Sequence, residues 1–137
     1  MFVCKLLQSK LFKSKFNKIY WHRGADDESG MTQDQFCKIK MTIIKGFDKN
    51  WSSRLRQGDV IIIDDLYQEA NKEKDFNNLF TKISRHVGVT VIFITQNLFH
   101  QGGNHRTRNL NVHYLTIFKN PRDATVIDFL ARQAYPN

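Results

Sequence analysis

The chain has 137 residues, and 21 lysines and arginines against 13 acidic residues give it a formal net charge of +8. Hydrophobic residues make up 41% and charged residues 25%, which excludes an intrinsically disordered protein. The longest apolar runs, 60–63 and 89–94, are too short to cross a bilayer. The length fits a single domain over residues 1–137, and the charge favours a polyanionic partner such as nucleic acid.

The cysteines and the N-terminus indicate a cellular compartment. Cys4 and Cys37 have no C-x-x-C neighbour, which predicts buried thiols in a reducing environment rather than a disulfide scaffold or a zinc site. Lysines at positions 5, 10, 13 and 15 interrupt the first apolar stretch, so we expect no signal peptide. These features predict an intracellular protein that is not secreted and has no membrane partner.

The first third of the chain alternates between helical and extended patterns. Its opening apolar residues recur at helical spacing and predict an amphipathic helix: Phe2, Val3, Leu6, Leu7 and Leu11. Residues 18–21 predict a short strand, and the acidic stretch 24–34 predicts an exposed loop. Residues 36–44 fit a helix end followed by a strand. The connector 46–57 contains Trp51, which we expect to pack over the sheet edge.

The stretch 58–65 carries the strongest signal, since four apolar β-branched residues, 60–63, precede two acids, Asp64 and Asp65. A run without polar alternation is typical of a strand covered on both faces in a parallel sheet. Open α/β sheets bind ligands beyond the carboxyl ends of their strands. The pair therefore predicts a site for a cation, a water or a polar ligand. The alternative is that Asp64 or Asp65 merely caps the following segment.

Further strands and helices follow the paired acids. After a polar loop at 69–74, one apolar stripe predicts a crossover helix that ends at Gly88: Phe76, Leu79, Phe80, Ile83 and Val87. Residues 89–94 predict a second buried strand, 101–111 a loop and 112–118 a third strand.

The chain ends in a further predicted helix. Asn120, Pro121 and Asp123 suit its first turn, and its expected buried stripe is Ala124, Ile127, Leu130, Ala131 and Ala134. We also expect four phenylalanines in the core: Phe76, Phe80, Phe93 and Phe118. The alternation of strands and helices predicts an α/β fold with a largely parallel sheet.

Gln96 follows the second buried strand as the two acids follow the first. One crossover helix fits between the two strands, so Asp64, Asp65 and Gln96 should meet at one edge of the sheet. Gln96 could instead satisfy backbone groups at a strand end. Four of the five histidines, His86, His100, His105 and His113, fit no metal-ligand spacing, and we expect them to be satisfied or solvent-exposed.

Three segments together resemble a known family. Residues 61–66 (IIIDDL) look like a Walker B motif. With 91–99 (VIFITQNLF) and 118–123 (FKNPRD), they resemble the viral genome-packaging ATPases of the FtsK/HerA superfamily, nearest to the poxvirus-type and Polinton-like branch. The resemblance implies a three-layer P-loop NTPase-like core that lacks its first strand and phosphate loop, with ATP and Mg²⁺ as cofactors of an intact relative.

The resemblance also implies roles for individual residues. Asp64 would hold magnesium through water, Asp65 would activate the attacking water, and Gln96 would sense the γ-phosphate. Arg106 or Arg108 would be the arginine finger that reaches a neighbouring subunit, although a basic loop could equally contact DNA. The implied partners are double-stranded DNA and either a homo-oligomer or another chain that completes the fold. The implied location is a host cytoplasm or nucleus, or the virion.

One departure from the family limits the expected activity. The sequence has no G-x-x-x-x-G-K-[ST] run, and the stretch from Gly24 to Gly30 has neither its spacing nor its lysine. We therefore expect this chain alone to bind nucleotide poorly and to hydrolyse it negligibly. It would be the C-terminal piece of an ATPase or a decayed or repurposed relative.

Two other classes of function compete with the ATPase interpretation. The first is a non-catalytic basic module that binds nucleic acid or an intact ATPase partner. The second is a metal-dependent nuclease that uses Asp64 and Asp65, but it lacks the further acids that two-metal chemistry needs nearby.

Overall fold

The structure is a computed structural model, and it describes residues 2–9, 11–12, 15–24, 39–72, 76–96, 111–118 and 125–135. The chain divides into two compact units, Met1–Gln96 and Asn97–Asn137. The predicted loops at 24–34 and 101–111 lie almost wholly outside the described residues, as does Cys37.

The first unit contains a four-stranded, all-parallel sheet with the strand order β2-β1-β3-β4. Its elements in chain order are α1 (Phe2–Gln8), β1 (Ile19–Arg23), β2 (Thr42–Lys45), α2 (Trp51–Arg54), β3 (Val60–Asp64), α3 (Tyr67–Ala70), α4 (Phe76–Asn78), a π-helix (Leu79–Gly88) and β4 (Thr90–Ile94). The predicted α/β class with a parallel sheet is confirmed.

Strand β3 lies between β1 and β4, and its apolar run 60–63 is completely buried. A strand with neighbours on both edges and both faces covered buries every side chain, which explains the absence of alternation in its sequence. Full burial of an isoleucine or valine side chain stabilises a fold by about 1.5–3 kcal/mol, so β3 anchors the core.

Helix α1 covers one face of the sheet. Its buried side chains, Val3, Cys4 and Leu7, pack in one cluster with alternate residues of the central strands, including Trp21 and Ile62. The predicted amphipathic helix is confirmed, but it is shorter than expected, because Leu11 lies beyond its end and is 77% exposed. Cys4 is a buried thiol, as predicted.

The opposite face is covered by the elements around β3. Trp51, Leu55, Phe76 and Leu79 are buried there with the intervening residues of the sheet, such as Ile61. Phe80 and Phe93 complete this cluster with edge-to-face ring contacts to Phe76. Trp51 belongs to α2, where only a connector was predicted, and it is buried near Ile44 of the edge strand β2 and Ile61 of β3.

The crossover between β3 and β4 is confirmed as helical, although most of it is a π-helix. The backbone N–H of Val89 donates to Ser84 O at 3.0 Å, the five-residue step of that geometry. Gly88 then adopts a left-handed φ of 73°, and the chain enters β4 at Thr90. A glycine in this conformation ends the helix as predicted.

The second unit differs from its predicted form. Residues 112–118 are not part of any strand, and Phe118, expected in the core, is 66% exposed. Helix α5 (Thr125–Ala134) is present, but Ile127 of its expected buried stripe is 48% exposed and Ala131 is also exposed. The unit Asn97–Asn137 is small, and a unit of this size buries little of a strand or a helix face by itself.

Among the described residues, no helix is both long and apolar enough to traverse a bilayer.

Candidate functional site

The paired acids lie where parallel strands end. Asp64 is the last residue of β3, and the register aligns it with Arg23 at the end of β1 and with Ile94 at the end of β4. Asp65 is the next residue, and its backbone N–H donates to Ile94 O at 3.1 Å. Thus the carboxyl ends of three neighbouring strands meet at the two acids.

Asp64 is half-buried and held by a residue of the neighbouring strand. The indole Nε1–H of Trp21 donates to Asp64 Oδ2 at 3.1 Å. Burial raises the pKa of the Asp64 carboxyl above its ordinary value, and the nearby Asp65 raises it further. The Trp21 hydrogen bond and the positive charge of Arg23 oppose this rise without cancelling it. The site therefore places a partly desolvated carboxylate beside a buried arginine.

Asp65 is exposed and adopts a left-handed backbone conformation with φ 53°, the only non-glycine residue described with positive φ. Aspartate tolerates this region better than most residues, but the conformation still costs free energy. Gln96 follows the end of β4, and its Nε2–H donates a hydrogen bond to Asp65 Oδ2 at 2.8 Å. The structure thus brings Asp64, Asp65 and Gln96 to one edge of the sheet.

The loops that follow β1, β2 and β3 are tied together beside the acids. Gly46 N–H donates to Arg23 O at 2.7 Å, and Phe47 N–H donates to Glu69 Oε2 at 3.2 Å. Glu69 belongs to α3, which follows the acids directly. These bonds connect the ends of three strands, so the backbone around the acids is held from several sides.

His22 of β1 is a buried residue that forms hydrogen bonds with the same loops. It is 1% exposed, and its Nδ1 accepts a hydrogen bond from Asp48 N–H at 3.3 Å. Burial lowers the pKa of the His22 imidazole, while its hydrogen bond to the Gly46 backbone and the Asp48 charge act in the opposite direction. A neutral, buried imidazole that bonds the backbone of two loop residues has a structural role here.

The sequence interpretation missed Trp21 and Arg23. Arg23 is 8% exposed, on the same strand face as Trp21. The sequence signal for Arg23 is a cation at the end of a strand that neighbours the strand carrying the acids. This signal can be used only when it is known that β1 pairs with β3.

The structure does not describe all of the other residues that the sequence singled out. The proposed arginine fingers, Arg106 and Arg108, lie outside the described residues, as do His100 and His105. His86 and His113 are exposed. Within the described ranges, no three His, Cys, Asp or Glu side chains form a metal-binding group.

The chemistry of the donor set nevertheless fits one magnesium ion. Mg²⁺ uses one or two protein carboxylates and takes its remaining ligands from water and substrate phosphates. Asp64 and Asp65 supply two adjacent carboxylates, each with one oxygen in a hydrogen bond, to Trp21 and Gln96 respectively. Two carboxylates without a third acid suit this hard, water-bearing ion better than they suit zinc.

No protein-family model, curated protein or solved structure matches this chain. Its function is therefore inferred from the chemistry of the site.

Proposed function

We propose that this chain forms the acidic half of the nucleotide site in an ATP-driven DNA-translocating motor, similar to the viral packaging ATPases. The observation that carries the proposal is the hydrogen bond between Gln96 and Asp65 at the ends of adjacent parallel strands. It joins the residues proposed to sense the γ-phosphate and to activate water.

Each residue would do a separate task. Asp64 would hold Mg²⁺ through water, and the bound ion would neutralise charge on the phosphoryl oxygens. Asp65 would accept a proton from the attacking water, and Gln96 would fix the direction of its carboxylate. Arg23 opposes the rise of the Asp64 pKa that burial causes, which favours the ionised carboxylate that Mg²⁺ needs.

The proposal requires a phosphate-binding loop from outside these 137 residues, since the sequence contains none. Strand β4 is suited to receive it. No described strand pairs with its outer edge, and residues 90–94 (TVIFI) contain none of the charges or prolines that protect natural sheet edges. A strand carrying the loop would extend the sheet there, from a second copy or from another chain.

A second candidate is the non-catalytic basic module, which the net charge of +8 favours. It would bind nucleic acid or an intact ATPase without using the acids. Binding of Mg–ATP separates the two candidates.

The test is Mg–ATP titration followed by the fluorescence of Trp21, in a Trp51→Phe background. Because the Trp21 indole donates to Asp64, occupation of the site should change its emission. We expect a weak response that needs both Mg²⁺ and ATP and that Asp64→Asn abolishes. Asp128→Asn, which removes an exposed acid of α5, is the matched control. An equal response from parent and Asp64→Asn contradicts the assignment, and no response from the parent favours the second candidate.

A further inference from the structure

The end of the sheet at which the strands begin lies opposite the acids and carries positive charge. Four segments lead into the amino ends of the strands: 15–18 before β1, 39–41 before β2, 56–59 before β3 and 84–89 before β4. We call them the basic edge. Its cations are Lys15, Lys18, Lys40, Arg56 and Arg85, and all of them are exposed. The acid in these segments is Asp59, which is 2% exposed and accepts the Arg56 backbone N–H at 2.8 Å.

These cations are not used in internal ion pairs. Among the described residues, none forms a salt bridge with Lys15, Lys18, Lys40 or Arg85. Arg56 differs, since its Nη1 donates to the carbonyls of Ser53 and Leu55 at 2.7 and 2.9 Å. The free charges therefore face solvent at one edge, while the acids Asp64 and Asp65 lie at the other.

The basic edge is rigid where three of its segments meet. Asn17 N–H donates to Gly58 O at 3.0 Å, and Gly58 N–H donates to Gly88 O at 2.9 Å. Asn17 Nδ2–H also donates to Gln57 O at 2.7 Å. Lys18 and Lys40 each lie two residues before the first paired positions of β1 and β2, Tyr20 and Thr42, so the two lysines precede adjacent strands. Because the backbone of these segments is held, binding an anion orders only the side chains of the cations.

We propose that the basic edge binds the phosphate backbone of nucleic acid without reading its sequence. Four parallel strands spaced by about 4.8 Å make an edge about 14 Å wide. One strand of a duplex places a phosphate about every 3.4 Å along the axis, so about four phosphates lie within this width. A row of lysine and arginine over phosphates gives affinity and salt dependence but no base recognition.

This inference rests on the proposed function only for the choice of nucleic acid as the polyanion. It needs neither nucleotide nor Mg²⁺, so it can fail or succeed independently of the acidic site. An anionic membrane surface is the competing occupant, and the experiment distinguishes it.

The experiment measures binding of a labelled duplex of about 20 base pairs by fluorescence anisotropy, without ATP, over a series of salt concentrations. The edge variant combines Lys18→Gln, Lys40→Gln and Arg85→Gln. Arg56 is left unchanged, because its guanidinium donates hydrogen bonds to backbone carbonyls. The matched control combines Lys45→Gln, Lys49→Gln and Lys72→Gln. These three exposed lysines lie outside the basic edge, and their removal changes the net charge equally.

We expect the edge variant to bind about tenfold or more weakly, uniformly across duplex sequences. The slope of log affinity against log salt should fall by about three relative to the parent, because each phosphate that a cation neutralises releases about one counterion. The control should weaken binding much less.

Equal weakening in both variants, or no duplex binding by the parent, overturns the proposal. Binding to phosphatidylserine vesicles but not to duplex, with the same dependence on the edge residues, overturns it in favour of a membrane. Thermal unfolding of both variants confirms that each remains folded.

Discussion

Gln96 and Asp65 are 31 residues apart in the chain, and a hydrogen bond of 2.8 Å joins Gln96 Nε2 to Asp65 Oδ2. The bond links the residues that follow two adjacent parallel strands, β3 and β4. The backbone of Asp65 adopts the left-handed conformation, with φ 53°. A non-glycine residue in this conformation lowers stability locally, and such residues concentrate at functional sites.

The conformation of Asp65 predicts an unusual order of stability. Asp65→Gly and Asp65→Ala both remove the hydrogen bond to Gln96, so they differ only in Cβ. Because a Cβ disfavours the left-handed region, we expect Asp65→Gly to be more stable than Asp65→Ala by about 1 kcal/mol in urea unfolding.

The control for this prediction is Gln68, an exposed residue of helix α3. There the order should reverse, with Gln68→Ala more stable than Gln68→Gly by about 0.5–1 kcal/mol. Equal stability of the two Asp65 variants would show that this position is not constrained to positive φ in solution.

The raised pKa of Asp64 predicts that removing its charge increases the stability of the folded protein. Burial raises its pKa despite Trp21 and Arg23, so the folded protein binds the Asp64 proton more tightly than the unfolded chain does. Stability contributed by the protonated form is therefore lost as pH rises from the ordinary value of 3.8 through the folded-state pKa. At pH 7 we expect Asp64→Asn to be more stable than the parent, by less than about 1.4 kcal/mol for each unit of pKa shift, because solvent screens part of the interaction of a half-buried carboxyl.

Denaturation at pH 7 and at pH 4 measures this effect. The advantage of Asp64→Asn should shrink as pH falls toward 4, because a carboxyl with a raised pKa takes up its proton at a higher pH than an ordinary one does. Asp128→Asn, at an exposed position, should change stability by less than about 0.5 kcal/mol at both pH values. A decrease of stability in Asp64→Asn at pH 7 would mean that the carboxylate contributes to folding as well as to the site.

The features that the sequence predicted correctly are those with local causes. The runs 60–63 and 89–94 are rich in apolar β-branched residues and both form strands, and the acids and Gln96 follow them directly. Only the first is a buried strand as predicted, because every residue of β4 is partly exposed. The left-handed Asp65 and the bond from Trp21, which is 43 residues from Asp64, have no local signal. Residues 112–118 show the converse case. Their composition is that of a strand, but a strand exists only where a neighbour pairs with it, and no described strand does.

His22 predicts acid sensitivity near neutral pH. Burial lowers its pKa from 6.5, so the unfolded chain binds the proton more readily than the folded protein. Stability is complete above 6.5 and is lost as pH falls below that value toward the folded-state pKa. His22→Asn should be less stable at pH 7, because it leaves space around Phe47, whose ring centroid lies 5.5 Å from that of His22. Its stability should change less between pH 7 and pH 5.

Urea unfolding at several pH values gives this comparison. His86→Asn is the control, since His86 is exposed. It should keep the steep decline of the parent between pH 7 and pH 5. A decline that is unchanged in His22→Asn would assign the acid sensitivity to another group.

Among the described glycines, Gly58 is the one at which an added Cβ should lower the stability of the fold most. It has φ 80° in the turn 56–59, and a Cβ there would lie 2.9 Å from Asn17 Nδ2, the atom that donates to Gln57 O. Gly58→Ala would therefore combine backbone strain with removal of a hydrogen bond between two segments of the basic edge. We expect stability to fall by about 1–3 kcal/mol in urea unfolding. Gly24→Ala is the matched control, because a Cβ at Gly24 meets nothing within 4 Å, and its cost should be below about 0.5 kcal/mol. If the two variants were equally stable, the turn before β3 would differ in solution. The basic edge would then lack the rigid frame on which its phosphate binding depends.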